Sequence, residues 1–307
     1  MNIKICFCAD NNYAVHMAVS MASILKNASE ENKLFFYILD GGISGETKEK
    51  IAKLNKIKEF YIEYVNVDVS IFKNFYLGHA HLTSAAYYRF IIADLLPGID
   101  KIIYLDCDLI ACADLKELFD TDVTDYYLAA VDDIGFFWVR RQLGRKYEEF
   151  YINSGVMVVN LQLWRKDLIS KKLIEFGIEV GGKLHFEDQD IINAVLKDKI
   201  KRIDLKWNVQ ISFFEFNNAR YHPLYQSIKQ AKKNPKIIHY VSDKKPWHSY
   251  VPLKSLYLYY LGYTDFNLKH DLKNKIKIMW QFCRYKLKNF IYILRYIVSP
   301  IIKGYRT

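Results

Sequence analysis

Two aspartates separated by one residue, Asp106 and Asp108, come directly after the apolar run 102–105. Side chains two residues apart in an extended chain point the same way, so both carboxylates would face one side. Burying two like charges there is costly unless a cation lies between them. Hard divalent cations take several oxygen ligands and can bridge carboxylates to a diphosphate. Taken alone, such a pair is more often a solvated strand end or turn than a divalent-cation site, and it is the other motifs of the chain that favour the cation.

Polar residues also flank other apolar segments. In "ADNNY", Asp10 and Tyr13 follow the first apolar run, where they could bind a base and ribose or form a capped turn before a helix. "YINSGVMVVNL" places Asn153 and Ser154 ahead of an apolar strand. "FEDQDIINAVL" places several acids at the start of a helix, where they would also interact favourably with the helix dipole.

The stretch "IIHYVSDKKPWH" places His239 at a strand end, with Lys244 and Lys245 shortly after it. A single histidine in such a position often has a structural role. Next to a cation and a diphosphate, however, an imidazole and a lysine would each have a chemical use.

Strand and helix patterns alternate along the chain, which predicts an α/β fold with a parallel, doubly wound sheet. In such sheets the ligand crevice lies beyond the carboxyl ends of the strands. The patterns predict strands at 3–9, 34–39, 60–67, 101–105, 127–131, 155–161 and 236–240, and helices at 13–27, 45–54, 84–95 and 188–196.

The composition, with 51% apolar residues in 307, predicts a globular protein. The start of the chain lacks a basic segment followed by an apolar run and a cleavage site, so we expect a cytoplasmic location. Five cysteines without paired spacing favour reduced thiols over disulfides or a zinc site.

Basic residues are concentrated at the end of the chain. From Asn267 onward there are ten Lys or Arg and one acid, so this segment carries nine of the ten net positive charges. We predict one main domain over 1–266 and a basic, aromatic tail over 267–307 that forms an amphipathic helix on an anionic membrane surface. A solvated tail or a helix packed on the domain is the alternative. A nearly neutral body argues against nucleic acid as a partner.

Five stretches taken together, "CADNNY", "YLDCD", "YINSGVMVVNL", "EDQDIIN" and "HYVSDKKPWH", resemble the retaining glycosyltransferases of family 8. The similarity is closest to the bacterial lipopolysaccharide α-galactosyltransferases and α-glucosyltransferases, and it covers about residues 3–250. It implies a GT-A fold, that is, a single Rossmann-like nucleotide-sugar domain with a mostly parallel central sheet. It also implies a UDP-hexose donor and a Mn²⁺ cofactor, with Mg²⁺ as the alternative.

The resemblance assigns roles by position. It implies three groups of residues: the metal ligands Asp106, Asp108 and His239; the uridine-binding residues Ala9, Asp10, Asn12 and Tyr13; and the donor-sugar residues Arg89, Asp133, Asn153, Asp188 and Gln189. Gln189 or Asp188 would lie nearest the anomeric carbon and act in catalysis. Lys245 would contact the diphosphate, and Cys107 and Ser242 complete the substrate-binding set. Ser242 departs from the family, which usually has glycine there.

The expected reaction is transfer of galactose or glucose to a lipopolysaccharide, lipooligosaccharide or other glycan with retention, at the inner face of the cytoplasmic membrane. Double displacement and attack from the leaving-group side both remain open. Alternatives are a self-glucosylating, glycogenin-like primer and a non-catalytic membrane-bound binding protein. An Asp-x-Asp phosphohydrolase is disfavoured, because Ile110 occupies the place where such enzymes need Thr or Val.

Overall fold

A computed structural model describes residues 1–73, 75, 84–134, 141–144, 146, 149–215 and 223–266. The strands are β1 Asn2–Ala9, β2 Lys33–Asp40, β3 Phe60–Asn66, β4 Lys101–Leu105, β5 Leu109–Ala111, β6 Leu128–Asp132, β7 Ile152–Asn160, β8 Ile200–Arg202, β9 Val209–Gln210 and β10 Ile237–His239. The α-helices are Ala14–Asn27, Gly45–Ala52, Ile92–Leu95, Lys116–Phe119, Leu161–Lys166, Ile169–Val180, Glu187–Val195, Ser212–Glu215, Tyr225–Lys233 and Lys254–Leu261. Turns of 3₁₀-helix occupy Lys53–Lys56, Val69–Phe72, Ser84–Ile91, Gly181–Lys183 and Leu205–Asn208.

Seven strands form the central sheet in the order β3-β2-β1-β4-β7-β6-β8. β1 pairs in parallel with β2 and β4, whereas β7 runs antiparallel to both β4 and β6. The expectation of a mostly parallel sheet is therefore confirmed, with β7 as the exception that the sequence pattern did not reveal. Because β7 runs the other way, its first residues lie at the edge where β1 and β4 end.

The sheet is covered on both faces, which is why its strands are apolar on both sides. Ile5 and Phe7 of β1 face one core, shared with Met17 of the helix Ala14–Asn27. Cys6 and Cys8 alternate to the other core, shared with Trp164 and the helices that follow β7.

A second, three-stranded sheet has the order β5-β10-β9. β5 begins directly after Asp108, and β10 pairs antiparallel with it so that His239 lies opposite Leu109. β9 pairs in parallel with β10 and places Gln210 beside His239. This small sheet therefore brings a residue from the end of the domain back to the acids that follow β4.

Two local expectations need correction. The predicted helix 84–95 is mostly a 3₁₀-helix, Ser84–Ile91, followed by one α-helical turn. Since residues three apart eclipse in a 3₁₀-helix, Ala86 and Arg89 share a side, and both line the same cavity. Asn153 and Ser154 do not precede the apolar strand but belong to it, because β7 already begins at Ile152.

The described cysteines Cys6, Cys8, Cys107 and Cys112 are free, as expected. Within the described ranges no helix has the length and apolarity needed to cross a bilayer. The predicted tail 267–307, including Cys283, lies outside the described residues.

Candidate active site

Asp106, Asp108 and His239 meet at the carboxyl edge of the central sheet. Each offers one ligand atom, and these atoms lie within 4.8 Å of one another. His239 Nε2 is 3.1 Å from Asp108 Oδ1 and 3.6 Å from Asp106 Oδ2. The backbone supports the arrangement, since the N–H of Tyr240 donates to the carbonyl of Asp108 at 3.0 Å. Across the part of the chain that the structure describes, this is the one cluster of three or more acidic, His or Cys ligand groups.

The remaining carboxylate oxygens of the pair are held by cations and a phenol. Asp106 Oδ1 accepts from Arg89 Nη2 at 2.9 Å and from the Tyr104 hydroxyl at 2.8 Å, which leaves Oδ2 facing the cluster. Asp108 Oδ2 pairs with the ammonium of Lys245, which also donates to the carbonyl of Tyr240. Burial raises the pKa of Asp108, but Lys245 and His239 outweigh it and hold this pKa well below its usual range.

A third buried carboxylate lies behind the cluster. Asp188 Oδ2 is 3.1 Å from Arg89 Nη1, so this arginine bridges Asp106 and Asp188. Burial raises the pKa of Asp188 to about 6, although Arg89 acts in the opposite direction. Three buried or half-buried acids thus face two basic side chains, Arg89 and Lys245. The excess of carboxylates, together with an imidazole, fits a divalent cation.

Gln189 is held by four hydrogen bonds. Its Oε1 accepts from the Ser154 N–H at 3.1 Å and from Asn153 Nδ2 at 3.2 Å. Its Nε2 donates to Asp133 Oδ2 at 3.2 Å and to the Tyr151 hydroxyl at 3.1 Å. The amide is therefore fixed in one orientation before any ligand binds.

A polar turn that directly follows β1 also contributes to the cavity. Asp10 Oδ1 accepts from the backbone N–H groups of Asn12 and Tyr13, each at 3.0 Å, and so forms the capped turn that was one of the two sequence interpretations. Asp10 and Tyr13 also line the cavity, so both interpretations remain compatible with the geometry.

One cavity of about 870 Å³ unites the expected residues. Its lining contains Ala9, Asp10, Tyr13, Arg89, Asp106, Cys107, Asp108, Asp133, Asn153, Asp188, Gln189, His239, Ser242 and Lys245. Asn12 alone of the expected set is outside this lining, and its side chain is exposed. The thiol of Cys107 points to the carbonyl of Cys8 rather than to the acids, as the alternation along the chain predicts.

Gly155 is a site residue that the sequence argument missed. Its carbonyl accepts from the Asp106 N–H at 2.9 Å, so β7 passes directly against the acids. A Cβ at this position would overlap the His239 ring and lie 2.7 Å from Asp106 Oδ2. A glycine inside an otherwise apolar strand is the signal that could have revealed it, because such glycines often mark close approach of another group.

The segment after β10 is held by aromatic packing. The Trp247 ring stacks on His16 with centroids 3.5 Å apart, and His16 Nδ1 is 2.8 Å from the Tyr257 hydroxyl. Burial lowers the pKa of His16 to about 3, so the ring stacks as a neutral group. Ser242 in the same segment has φ +80°, a conformation that favours glycine. Ser242 therefore adopts the positive φ that a glycine at this position would adopt without strain.

A model of glycosyl transferase family 8 matches residues 4–250. The chain belongs to glycosyltransferase family 8. It is 32% identical over 268 residues to general stress protein A of Bacillus subtilis (strain 168), a match that covers 85% of this chain and 93% of that protein. It is 29% identical over 256 residues to the lipopolysaccharide 1,3-galactosyltransferase of Salmonella typhimurium, covering 80% of this chain and 73% of that protein.

Among solved structures, the galactosyltransferase LgtC in complex with donor and acceptor sugar analogs superposes with a TM-score of 0.78 at 27% identity. The match covers 88% of this chain and 98% of that one. The GT-A expectation is therefore confirmed, and this family 8 chain is an enzyme that transfers a hexose rather than a non-catalytic binding protein.

Gly155→Ala tests the close packing in this family 8 site. The new methyl group must displace His239 or Asp106, and a displacement of about 1 Å can reduce turnover about 100-fold. We expect a loss of this order, measured as kcat/KM for sugar transfer.

Gly98→Ala is the matched control, because a Cβ at Gly98 meets no atom within 4 Å. Gly155→Ala with wild-type kcat/KM would show that the site tolerates the methyl group and that the close approach is unimportant.

Ser242→Gly tests the strained backbone. Relief of the left-handed strain contributes about 1–2 kcal/mol, and the greater freedom of glycine in the unfolded chain offsets about 0.4–1 kcal/mol. We expect a gain of roughly 0.5–1 kcal/mol in the free energy of unfolding, measured by urea denaturation. Ser242→Ala keeps the Cβ and should give no such gain, so equal stabilisation by both changes would contradict the explanation.

Proposed function

We propose that this family 8 enzyme transfers galactose or glucose from a UDP-sugar to a lipopolysaccharide or lipooligosaccharide acceptor, with retention and formation of an α-linkage. The observation that carries the proposal is the Asp106–Asp108–His239 cluster in a cavity of about 870 Å³ that is also lined by Asp188 and Gln189. The hexose and the acceptor class are taken from similar proteins, which include the Salmonella galactosyltransferase and a lipopolysaccharide 1,2-glucosyltransferase of Escherichia coli.

Asp106, Asp108 and His239 would hold the cation, and we propose Mn²⁺. Two carboxylates and one imidazole suit Mn²⁺ better than Mg²⁺, which prefers an all-oxygen octahedron. When bound, the cation would act as a Lewis acid that offsets the negative charge developing on the departing UDP. Lys245, adjacent to Asp108, would add its positive charge to the same diphosphate.

Other residues of the cavity would bind the rest of the donor. Ala9, Asp10 and Tyr13 would bind uridine, with Asn12 at the exposed edge of the turn and Cys107 and Ser242 beside the diphosphate. Arg89, Asp133 and Asn153 would bind the sugar together with Asp188 and Gln189.

The hydrogen bonds of Gln189 bear on the mechanism. Both acceptor positions of its Oε1 are occupied, by Ser154 and Asn153, and an amide oxygen so bound is a poor nucleophile. We therefore propose that Gln189 orients the sugar rather than attacks it. The acceptor would then attack from the leaving-group side, or Asp188 would serve as the nucleophile.

Activity measurements test the proposed reaction. UDP-galactose and UDP-glucose should each be assayed on truncated lipooligosaccharide with Mn²⁺, with Mg²⁺ and with EDTA. We expect turnover with at least one donor, highest with Mn²⁺, and a loss of about 100-fold or more in Asp108→Asn.

Asp114→Asn is the control. Asp114 follows Asp108 by six residues but lies away from the cavity, where its carboxylate accepts hydrogen bonds from Ser29, Asn32 and Lys116. Equal turnover with EDTA and with Mn²⁺ would contradict the proposed cation requirement.

We also propose that the basic tail 267–307 holds the enzyme on the inner face of the cytoplasmic membrane. Each Lys or Arg near an anionic surface contributes about 1 kcal/mol, so ten such residues are enough even when partly engaged. We do not propose nucleic acid as a partner of the tail.

Sedimentation with vesicles tests the tail. The full chain should sediment with phosphatidylserine-containing vesicles at low salt and be released at high salt, because the attraction is screened. Truncation after Phe266 should abolish sedimentation while activity on a soluble acceptor persists. Binding that is unchanged by truncation would assign the membrane contact to another part of the protein.

A further inference from the structure

A buried asparagine contacts the back of the His239 ring. Asn208 has no exposed surface, and its Oδ1 lies 3.0 Å from His239 Nδ1. It ends the turn Leu205–Asn208, immediately before β9, which pairs with β10. None of the sequence motifs includes this residue. The other ring nitrogen, Nε2, faces Asp106 and Asp108.

The orientation of the Asn208 amide follows from a chain of hydrogen bonds that starts at Asn153. A carboxylate can only accept and a backbone N–H can only donate. Asn153 therefore directs Nδ2 to the carboxylate of Asp133, at 3.1 Å, and Oδ1 to the N–H of Gly155, also at 3.1 Å. Both ends of the Asn153 amide are fixed by these contacts.

The same reasoning then orients Asn208. Asn153 Oδ1 also lies 2.8 Å from Asn208, so the atom of Asn208 that faces it must be the donor Nδ2. Asn208 Oδ1 is consequently the atom that faces His239. An oxygen there can only accept, so His239 Nδ1 must carry a proton and donate it.

We propose that Asn208 is a positioning residue that keeps the proton of His239 on Nδ1 and so presents the Nε2 lone pair to the cation. Partners that hold the second nitrogen of a metal-binding histidine generally set its tautomer and ring orientation. Here the partner is itself oriented by Asn153, which also contacts Asp133 and Gln189. The cation ligand and the donor-sugar residues thus belong to one continuous hydrogen-bonded chain. The inference rests on the cation site of the proposed function.

The test is Mn²⁺ affinity in the presence of UDP, measured by electron paramagnetic resonance of free Mn²⁺. Asn208→Leu removes both hydrogen bonds at similar volume, and we expect its dissociation constant for Mn²⁺ to rise about 10- to 100-fold. Asn208→Asp keeps an acceptor for His239 but loses the donor to Asn153. We expect it to lose thermal stability yet retain most of the Mn²⁺ affinity.

Asn32→Leu is the matched control, because Asn32 is also buried but contacts Asp114 instead of the cavity. It should lose stability without a change in Mn²⁺ affinity. An Asn208→Leu affinity equal to wild type would overturn the inference alone. Failure of the wild-type enzyme to bind Mn²⁺ would overturn the proposed cation site and this inference together.

A second measurement on the wild-type enzyme does not depend on the folding of any variant. Nitrogen-15 spectra of labelled histidine, with UDP and the diamagnetic cation Cd²⁺, report which ring nitrogen carries the proton. His239 is identified by the signals missing from His239→Gln. We expect a protonated Nδ1 and a cation-bound Nε2, and the reverse assignment would overturn the proposal.

Discussion

The burial of acidic side chains at one edge of the sheet is the constraint on which the site depends. Asp108 and Asp188 are both buried, and Asp106 is half-buried beside them. Uncompensated, such charges would be very costly away from water. Arg89 bridges Asp106 and Asp188, while Lys245 and His239 contact Asp108. The compensating groups come from distant parts of the chain, so only the complete fold can bury these acids and supply their partners at the same time.

The two sheets bring different groups to these acids. In the central sheet, the reversed direction of β7 brings Asn153 and Gly155 to the edge where β4 ends. In the small sheet, the β5–β10 pairing returns His239 to the residues just after β4. The two sheets contact each other at Gly155. Because this residue has no side chain, β7 can pack directly against Asp106 and the His239 ring.

Much of the site is organised before a ligand arrives. The amides of Gln189 and Asn153 have fixed orientations because each contacts a carboxylate, which can only accept, and a backbone N–H, which can only donate. The orientation of the Asn208 amide follows from its contact with Asn153. Such preorganisation limits the reordering that binding would otherwise require. It has local costs as well, since Ser242 adopts a left-handed backbone and burial raises the pKa of Asp188. Strain and unfavourable charge of this kind are common where function competes with stability.

The sequence by itself determined the α/β class, most of the strands and the local motifs, because these depend on short-range periodicity and on side-chain chemistry. The spacing of Asp106 and Asp108 led to the prediction of a cation site only together with the other motifs, and the order of these motifs identified the family. Only the tertiary structure decided the direction of β7, the packing at Gly155 and the contact of Asn208 with His239. These features depend on residues far apart in the chain. A buried strand has the same apolar pattern whether it pairs in parallel or antiparallel with its neighbour, so the pattern cannot give the direction of β7.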